Sequence, residues 1–187
     1  MENNRSWKLL SSEQLLKDKW IDVKSEIWEK PDGTIIKPFY KYGFPDYATA
    51  LAITKDGKVI LEKIFRQGVG LTCIELPGGG IDPNDASRID AMARELLEET
   101  GYRFEKIEWL GKISPNPTTN NNFMQMFLAT GGVFDPNQQL DIEENVEVFL
   151  VTMDELIELI QSHQFLQSMQ LSTLFFALQK LGRITVI

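Results

Sequence analysis

A run of three glycines, Gly78 to Gly80, opens the stretch "GGGIDPND" just ahead of the helical pattern "RIDAMARELLEETGY". In that pattern Ile89, Met92, Ala93, Leu96 and Leu97 recur at i, i+3, i+4, i+7 and i+8, a single apolar stripe that another element must cover. At about 100° per residue, Glu95, Glu98 and Glu99 then fall within an arc of roughly 100° on the face away from the stripe. Arg94, four residues before Glu98, adjoins that face and can grip a carboxylate by a forked bond. Gly101 suits the position just past the helix, and Asp85 or Ser87 can cap its start. The helix needs a partner surface, and the surrounding chain offers strands.

Period-two apolar residues from Ile21 through Val23 to Ile27, a "PDG" turn and "TIIKPFYKY" give two extended runs. "ATALAIT", a "KDG" turn and "KVILEKIF" predict a hairpin, and "KIEWLGKI", "NFMQMFLAT" and "VEVFLVT" predict three further strands. "MDELIELIQSH" and "SMQLSTLFFALQKLG" are amphipathic helices. A mixed sheet packed between few helices is an α/β (α+β) sandwich. Residues 1–45 are expected to form a small β-rich extension and residues 46–187 the main domain.

The 187 residues are enough for one good core, and 43% hydrophobic with 25% charged residues fits a soluble globular chain. No window reaches the ~20 consecutive apolar residues of a membrane span, and "MENNRSWK" lacks the apolar centre of a signal peptide. A cytoplasmic protein is expected. Cys73 is the sole cysteine, which excludes an internal disulfide and a cysteine zinc site and suggests a buried, inert thiol. With His163 alone in a polar helical stretch, nucleophile-histidine catalysis has little support. A formal charge of -8 without a Lys/Arg cluster argues against nucleic acid. One small phosphorylated ligand remains compatible when divalent cations lie between the negative charges.

Taken alone, "ELLEE" reads as a solvated acidic face, because glutamate is a good helix former and i,i+4 repulsion costs only a few tenths of a kcal/mol. The preceding glycines change that reading. They allow backbone amides and carbonyls to approach a ligand, with Gly79 and Gly80 as substrate-binding candidates. Several carboxylates with a backbone carbonyl opposite suit hard Mg²⁺ or Mn²⁺.

"GGGIDPNDASRIDAMARELLEETGY" resembles the signature of the Nudix hydrolases, G-x5-E-x7-R-E-U-x-E-E-x-G-U with U apolar. Its R-E-U-x-E-E-x-G core matches Arg94 to Gly101 without a gap. Counting from Gly80 puts Ala86 at the first glutamate position; counting from Gly79 puts Asp85 there with one extra residue before Arg94. The second register also aligns "ELPGG" with the family's lead-in. Beyond this box, "ALAITKDGKVILEKIFRQ", "ENVEVFLVTMDEL" and the closing helices resemble the nucleoside-diphosphate-sugar branch, which includes ADP-ribose pyrophosphatases.

That resemblance implies a Nudix α/β/α sandwich with a small N-terminal β-domain, and a homodimer in which that domain helps form the partner's site. It implies Mg²⁺-dependent attack of water on the diphosphate of a nucleotide-sugar, giving two monophosphates. By position, Glu95, Glu98 and Glu99 match the metal-binding glutamates, Gly78 the residue whose carbonyl completes the set, and Arg94 the residue that orients them. Arg66 is a phosphate-contact candidate, beside the reading of a surface arginine. Glu143 and Glu144 in "DIEENVEV" are alternative general bases, beside the reading of an ordinary acidic loop. "SPNPTTNNN" lacks the acid that relatives often carry there. Trp7, Trp20 and Phe39 can stack on a nucleobase, with buried sheet packing the favoured reading of each. The rival function is a catalytically silent nucleotide-sugar binding module of the same fold.

Overall fold

The computed structural model describes residues 5–136 and 146–185. The chain forms two compact units, one of Met1–Pro45 with Ser114–Phe123 and one of Asp46–Ile113 with Met124–Ile187.

In the first unit, β1 (Lys8–Lys17), β2 (Asp22–Glu29) and β3 (Ile35–Gly43) form an antiparallel sheet in that order. The turn between β2 and β3 uses Gly33 at φ 84°, a conformation that a β-carbon disfavours. β1 has no sequence counterpart among the expected strands, because "KLLSSEQLLK" lacks period-two apolarity and all ten residues are exposed. Its strand form comes from pairing with β2. Glu26 is buried there and compensated by Lys41 Nζ at 2.6 Å, Trp28 Nε1 at 2.9 Å and Ser12 Oγ at 3.3 Å. The Ser114–Phe123 loop is tied to β3, since Tyr42 N–H donates to Thr119 O at 2.8 Å and Asn121 N–H to Tyr42 O at 3.2 Å.

The second unit contains β4 (Tyr47–Thr54), β5 (Val59–Arg66), β6 (Leu71–Glu75), β7 (Tyr102–Arg103), β8 (Lys106–Ile113), β9 (Met124–Phe134) and β10 (Glu147–Val151). They form a mixed sheet of order β10-β5-β4-β9-β7, with β6 paired to β5 and β8 to β9. Among the described strand pairs, only β4 and β9 run parallel. The expected β4–β5 hairpin is present but short, joined by Ala52↔Ile60 and Ile53↔Val59. Further along, β5 pairs with β6 instead, from Glu62↔Glu75 to Arg66↔Leu71.

Alternation along β4 gives the sheet two apolar faces. Ala48, Ala50 and Ala52 pack with Ile60, Phe127 and the Met92 and Leu96 side chains of α1 (Arg88–Thr100). On the opposite face Leu51, Val59 and Leu61 meet Leu156 of α2 (Met153–Gln161) and Leu174, Ala177 and Leu178 of α3 (Ser168–Lys180). This is the α/β/α sandwich expected. The small alanines of β4 let α1 lie close to the sheet, and that closeness matters for the charged residues on α1.

The buried face of α1 differs from the expected stripe. Ile89 is 43% exposed and Ala93 is exposed, whereas Ala91, Met92, Glu95, Leu96, Glu99 and Thr100 are buried. Glu95 and Glu99 therefore sit on the covered face and not opposite it. The cause is the glycine segment, which lacks side chains and can lie against them. One smaller expectation also shifts, and one holds. His163 lies beyond α2, at φ 58°, and not inside a helix; Cys73 is buried, with Sγ 3.8 Å from Leu71 O. None of the described helices is long and apolar enough to cross a membrane.

Candidate active site

α1 starts where Ser87 Oγ accepts the Asp90 N–H at 3.2 Å, and it ends where Gly101, at φ 76°, returns its N–H to Leu97 O. Ser87 is thus the cap, and Asp85 is left to act elsewhere.

After β6 the chain crosses to run beside the start of β4. Ala50 N–H donates to Pro77 O at 3.1 Å and Ala48 N–H to Gly79 O at 2.9 Å. Gly78 lies flat on β4: a β-carbon there would stand 2.1 Å from Ala48 O, and its φ is 150°. At Gly79 a β-carbon would stand 2.4 Å from Glu95 Oε2, whereas Gly80 meets nothing within 4 Å. The segment also binds the helix directly, with Gly78 N–H donating to Glu99 Oε2 at 2.6 Å.

Arg94 ties the remaining carboxylates together. Its Nη1 donates to Glu95 Oε1 at 2.8 Å and to Glu98 Oε2 at 2.9 Å. Its other edge forks onto Asp85, with Nε to Oδ1 at 3.1 Å and Nη2 to Oδ2 at 2.9 Å, and Nη2 also reaches Gly80 O at 3.0 Å. The Asp85 bonds, followed by those to Glu95 and Glu98, hold the guanidinium pKa above its ordinary value despite some desolvation. Conversely, Arg94 holds the Asp85 carboxyl below the usual carboxylate range.

Arg66, at the end of β5, is more than a surface arginine. Nε donates to Glu75 Oε1 at 2.8 Å and Nη2 to Glu75 Oε2 at 2.7 Å. Its pKa is raised first by those bonds, with the charge of Glu99 adding to the effect, so it lies within electrostatic reach of Glu99 on α1. Tyr47 shares this neighbourhood: burial, then the charge of Glu75, pushes its hydroxyl up to about 12. Glu75 was not a sequence candidate. Its signal was available, since a glutamate inside the apolar run "LTCIELP" demands a buried partner.

Residues 44–169 match the NUDIX domain, and residues 7–41 match the nucleoside diphosphate sugar hydrolase N-terminal domain. The chain belongs to the Nudix family. As a Nudix hydrolase it is similar to the ADP-ribose pyrophosphatase of Bacillus subtilis (strain 168), with 32% identity covering 84% of each chain. It is 33% identical to the ADP-ribose pyrophosphatase of Saccharomyces cerevisiae over 76% of this chain and 70% of that one. A crystal structure of an ADP compounds hydrolase superposes with a TM-score of 0.83 at 21% identity, covering 98% of this chain and 100% of that chain, and shows the same fold.

Nudix hydrolases generally use divalent metal ions, and the donors here fit one by their chemistry: glutamate oxygens on one helix face beside a glycine turn. Among the described residues no three acidic, histidine or cysteine side chains form a group that could hold a metal ion by itself. Mg²⁺ does not need one, because it retains several waters and is held by one or two carboxylates plus substrate phosphates. A cleft of about 490 Å³ opens beside Glu99, lined also by Tyr102, Phe134, Val148 and Phe149. Glu143 and Glu144 lie outside the described residues. In the first unit, Trp7 and Phe39 line a pocket of about 410 Å³ with Trp28 and Lys41. Trp20 is 66% exposed and Trp7 is also exposed, so neither is the buried packing residue expected.

Proposed function

We propose that the protein is a Mg²⁺-dependent pyrophosphatase that hydrolyses the diphosphate of a nucleoside diphosphate linked to a sugar, with ADP-ribose the leading substrate. The products are two monophosphates, AMP and ribose 5-phosphate in that case. The observation that supports this reading is the packing of Glu95 and Glu99 of α1 against Gly78 and Gly79, with Glu99 within electrostatic reach of Arg66. The pyrophosphatase relatives supply the substrate class.

In this reading Glu95, Glu98, Glu99 and the Gly78 carbonyl hold the cation, with Mn²⁺ able to replace Mg²⁺. When bound, the ion neutralises phosphate charge and activates water. Arg94 sets the positions of Glu95 and Glu98 while Asp85, at the first acidic position of the signature, fixes Arg94. Arg66, gripped along one edge by Glu75, turns its Nη1 edge to a phosphate oxygen. Gly79 and Gly80 bring backbone close to the substrate, and Glu143 or Glu144 serves as general base. Residues 1–45 act as a β-rich extension of a catalytic domain spanning 46–187.

We further infer a cytoplasmic homodimer. The exposed Leu9, Leu10, Leu15 and Leu16 on strand β1 support a covered surface in solution. The charge of -8 supports a small-molecule substrate over nucleic acid.

A hydrolysis panel of ADP-ribose, other sugar nucleotides and dinucleotides with Mg²⁺ or Mn²⁺ tests the reading. Wild type should cleave ADP-ribose, while Glu98→Gln and Glu99→Gln should lose orders of magnitude in rate and remain folded. Binding without turnover across the panel would replace the enzyme reading with the silent binding module.

A further inference from the structure

Glu75 does more than hold Arg66, because it is itself held. Its Oε2, which receives Arg66 Nη2, also receives Gln170 Nε2 at 2.7 Å. Gln170 lies in the first turn of α3 and is 4% exposed; Glu75 is 2% exposed. The other end of the same carboxamide, Oε1, accepts the buried Leu76 N–H at 2.6 Å. One amide thus spans two consecutive residues of the segment that leads into the glycine turn.

The chemistry fixes which way the amide points. Only the oxygen can accept the Leu76 N–H, and only the nitrogen can donate to a carboxylate. An apolar residue of similar volume could fill the space, so packing alone does not call for an amide. The Leu76 N–H accounts for the oxygen end. Nothing but Glu75 accounts for the nitrogen end.

Resting on the reading of Arg66 as a phosphate contact, we propose that Gln170 is a positioning residue for Arg66, acting through Glu75. A carboxylate bonded only to a flexible, half-exposed arginine can rotate with it. The added bond from a rigid helix fixes the plane of the Glu75 carboxylate, and the two-pronged bond then fixes the plane of the guanidinium. The C-terminal helix thereby sets the aim of an arginine on the far end of β5.

Gln170→Glu separates the two ends of the amide. It keeps an oxygen for the Leu76 N–H but sets a carboxylate against Glu75 in place of a donor. With ADP-ribose as substrate, KM should rise roughly tenfold, the size expected for losing a bond to a charged group, while kcat changes by less than about threefold. Arg66→Lys should raise KM comparably, and the double variant should be no worse than Arg66→Lys alone, as expected for residues acting in one chain. A wild-type KM in Gln170→Glu would reduce Gln170 to a support for Leu76 and overturn the proposal.

A second measurement needs no turnover. The Arg66 Nε–H, assigned in ¹⁵N NMR spectra by its loss in Arg66→Lys, should exchange slowly with water in wild type and much faster in Gln170→Met, which keeps the volume and removes both bonds. Rapid exchange in wild type, or retained protection in Gln170→Met, would overturn the proposal. Failure of wild type to cleave ADP-ribose alongside the expected NMR result would instead overturn the substrate reading and leave the positioning chain standing.

Discussion

A β-carbon on residue 79 would stand 2.4 Å from Oε2 of Glu95 and 2.7 Å from its Cδ, so Gly79 and Glu95 share a space that only glycine leaves open. The atoms in conflict are the far end of a flexible side chain. Gly79→Ala should therefore fold, with Glu95 forced to another rotamer at a cost of about 1 kcal/mol and a fall in Tm of roughly 2–4 °C. Because the displaced carboxylate belongs to the proposed cation site, kcat/KM should fall at least tenfold, on the order of 1.4 kcal/mol. Thermal melts and steady-state kinetics on one preparation check both halves. An unchanged kcat/KM would detach Glu95 from the reaction.

The neighbouring glycine should behave in the opposite way. At Gly78 the conflict is with backbone, Ala48 O at 2.1 Å and Thr49 Cα at 2.6 Å, and the φ of 150° is one that side chains disfavour. No rotamer relieves it. Gly78→Ala should destabilise by about 3 kcal/mol or more, the range of overpacking added to backbone strain. Urea denaturation should show the midpoint falling well below that of Gly79→Ala. Equal midpoints would mean that β4 yields where the sheet geometry says it cannot.

The contrast between these two positions marks what the sequence disclosed. The β-forming run "ATALAIT" with its "KDG" turn placed β4, and Gly101 marked the end of α1, because both signals are local. The sandwich followed from where helices and strands alternate. The facing of Glu95 and Glu99 did not follow, because an apolar stripe assumes that charge seeks water, whereas here a side-chain-free turn covers the charge. Ser87 and Asp85 were equal cap candidates until Arg94 engaged Asp85. β1 was hidden because its pairing with β2, and not its own pattern, makes it a strand. Glu75 and Gln170 lie 95 positions apart, so no window of sequence could join them.

Asp85 and Arg94 make a pH prediction. The folded-state pKa of Asp85 lies below its ordinary 3.8, chiefly through the Arg94 hydrogen bonds and against a smaller desolvation effect. The unfolded chain thus binds this proton more readily than the folded one. The stability it contributes is present above pH 3.8 and is lost as pH falls through the lower folded value. Urea midpoints of wild type and Asp85→Asn should differ by a constant amount from about pH 5 to 7, then converge toward pH 3. A difference that persists undiminished at the lowest pH would assign the effect of Asp85 to something other than its charge. Arg94→Lys, which cannot fork, should show a smaller pH-dependent component than wild type.

Cation removal tests the α1 carboxylates without relying on turnover alone. Arg94 donates to Glu95 and Glu98 from one side, and Gly78 N–H donates to Glu99. A divalent ion that binds only the folded chain should raise Tm according to its excess over Kd, about 2.7 kcal/mol at a hundredfold excess. Treatment with EDTA should abolish hydrolysis and lower Tm, and Mg²⁺ or Mn²⁺ should restore both. Glu98→Gln and Glu99→Gln each remove one charge from the proposed ligand set. The rise in Tm with Mg²⁺ should therefore shrink by at least about half in either variant. Monovalent salt at matched ionic strength should not reproduce the rise, since screening acts on exposed charges and gives no coordination. An equal response in wild type and both variants would place the cation away from α1 and leave its glutamates as partners of Arg94 alone.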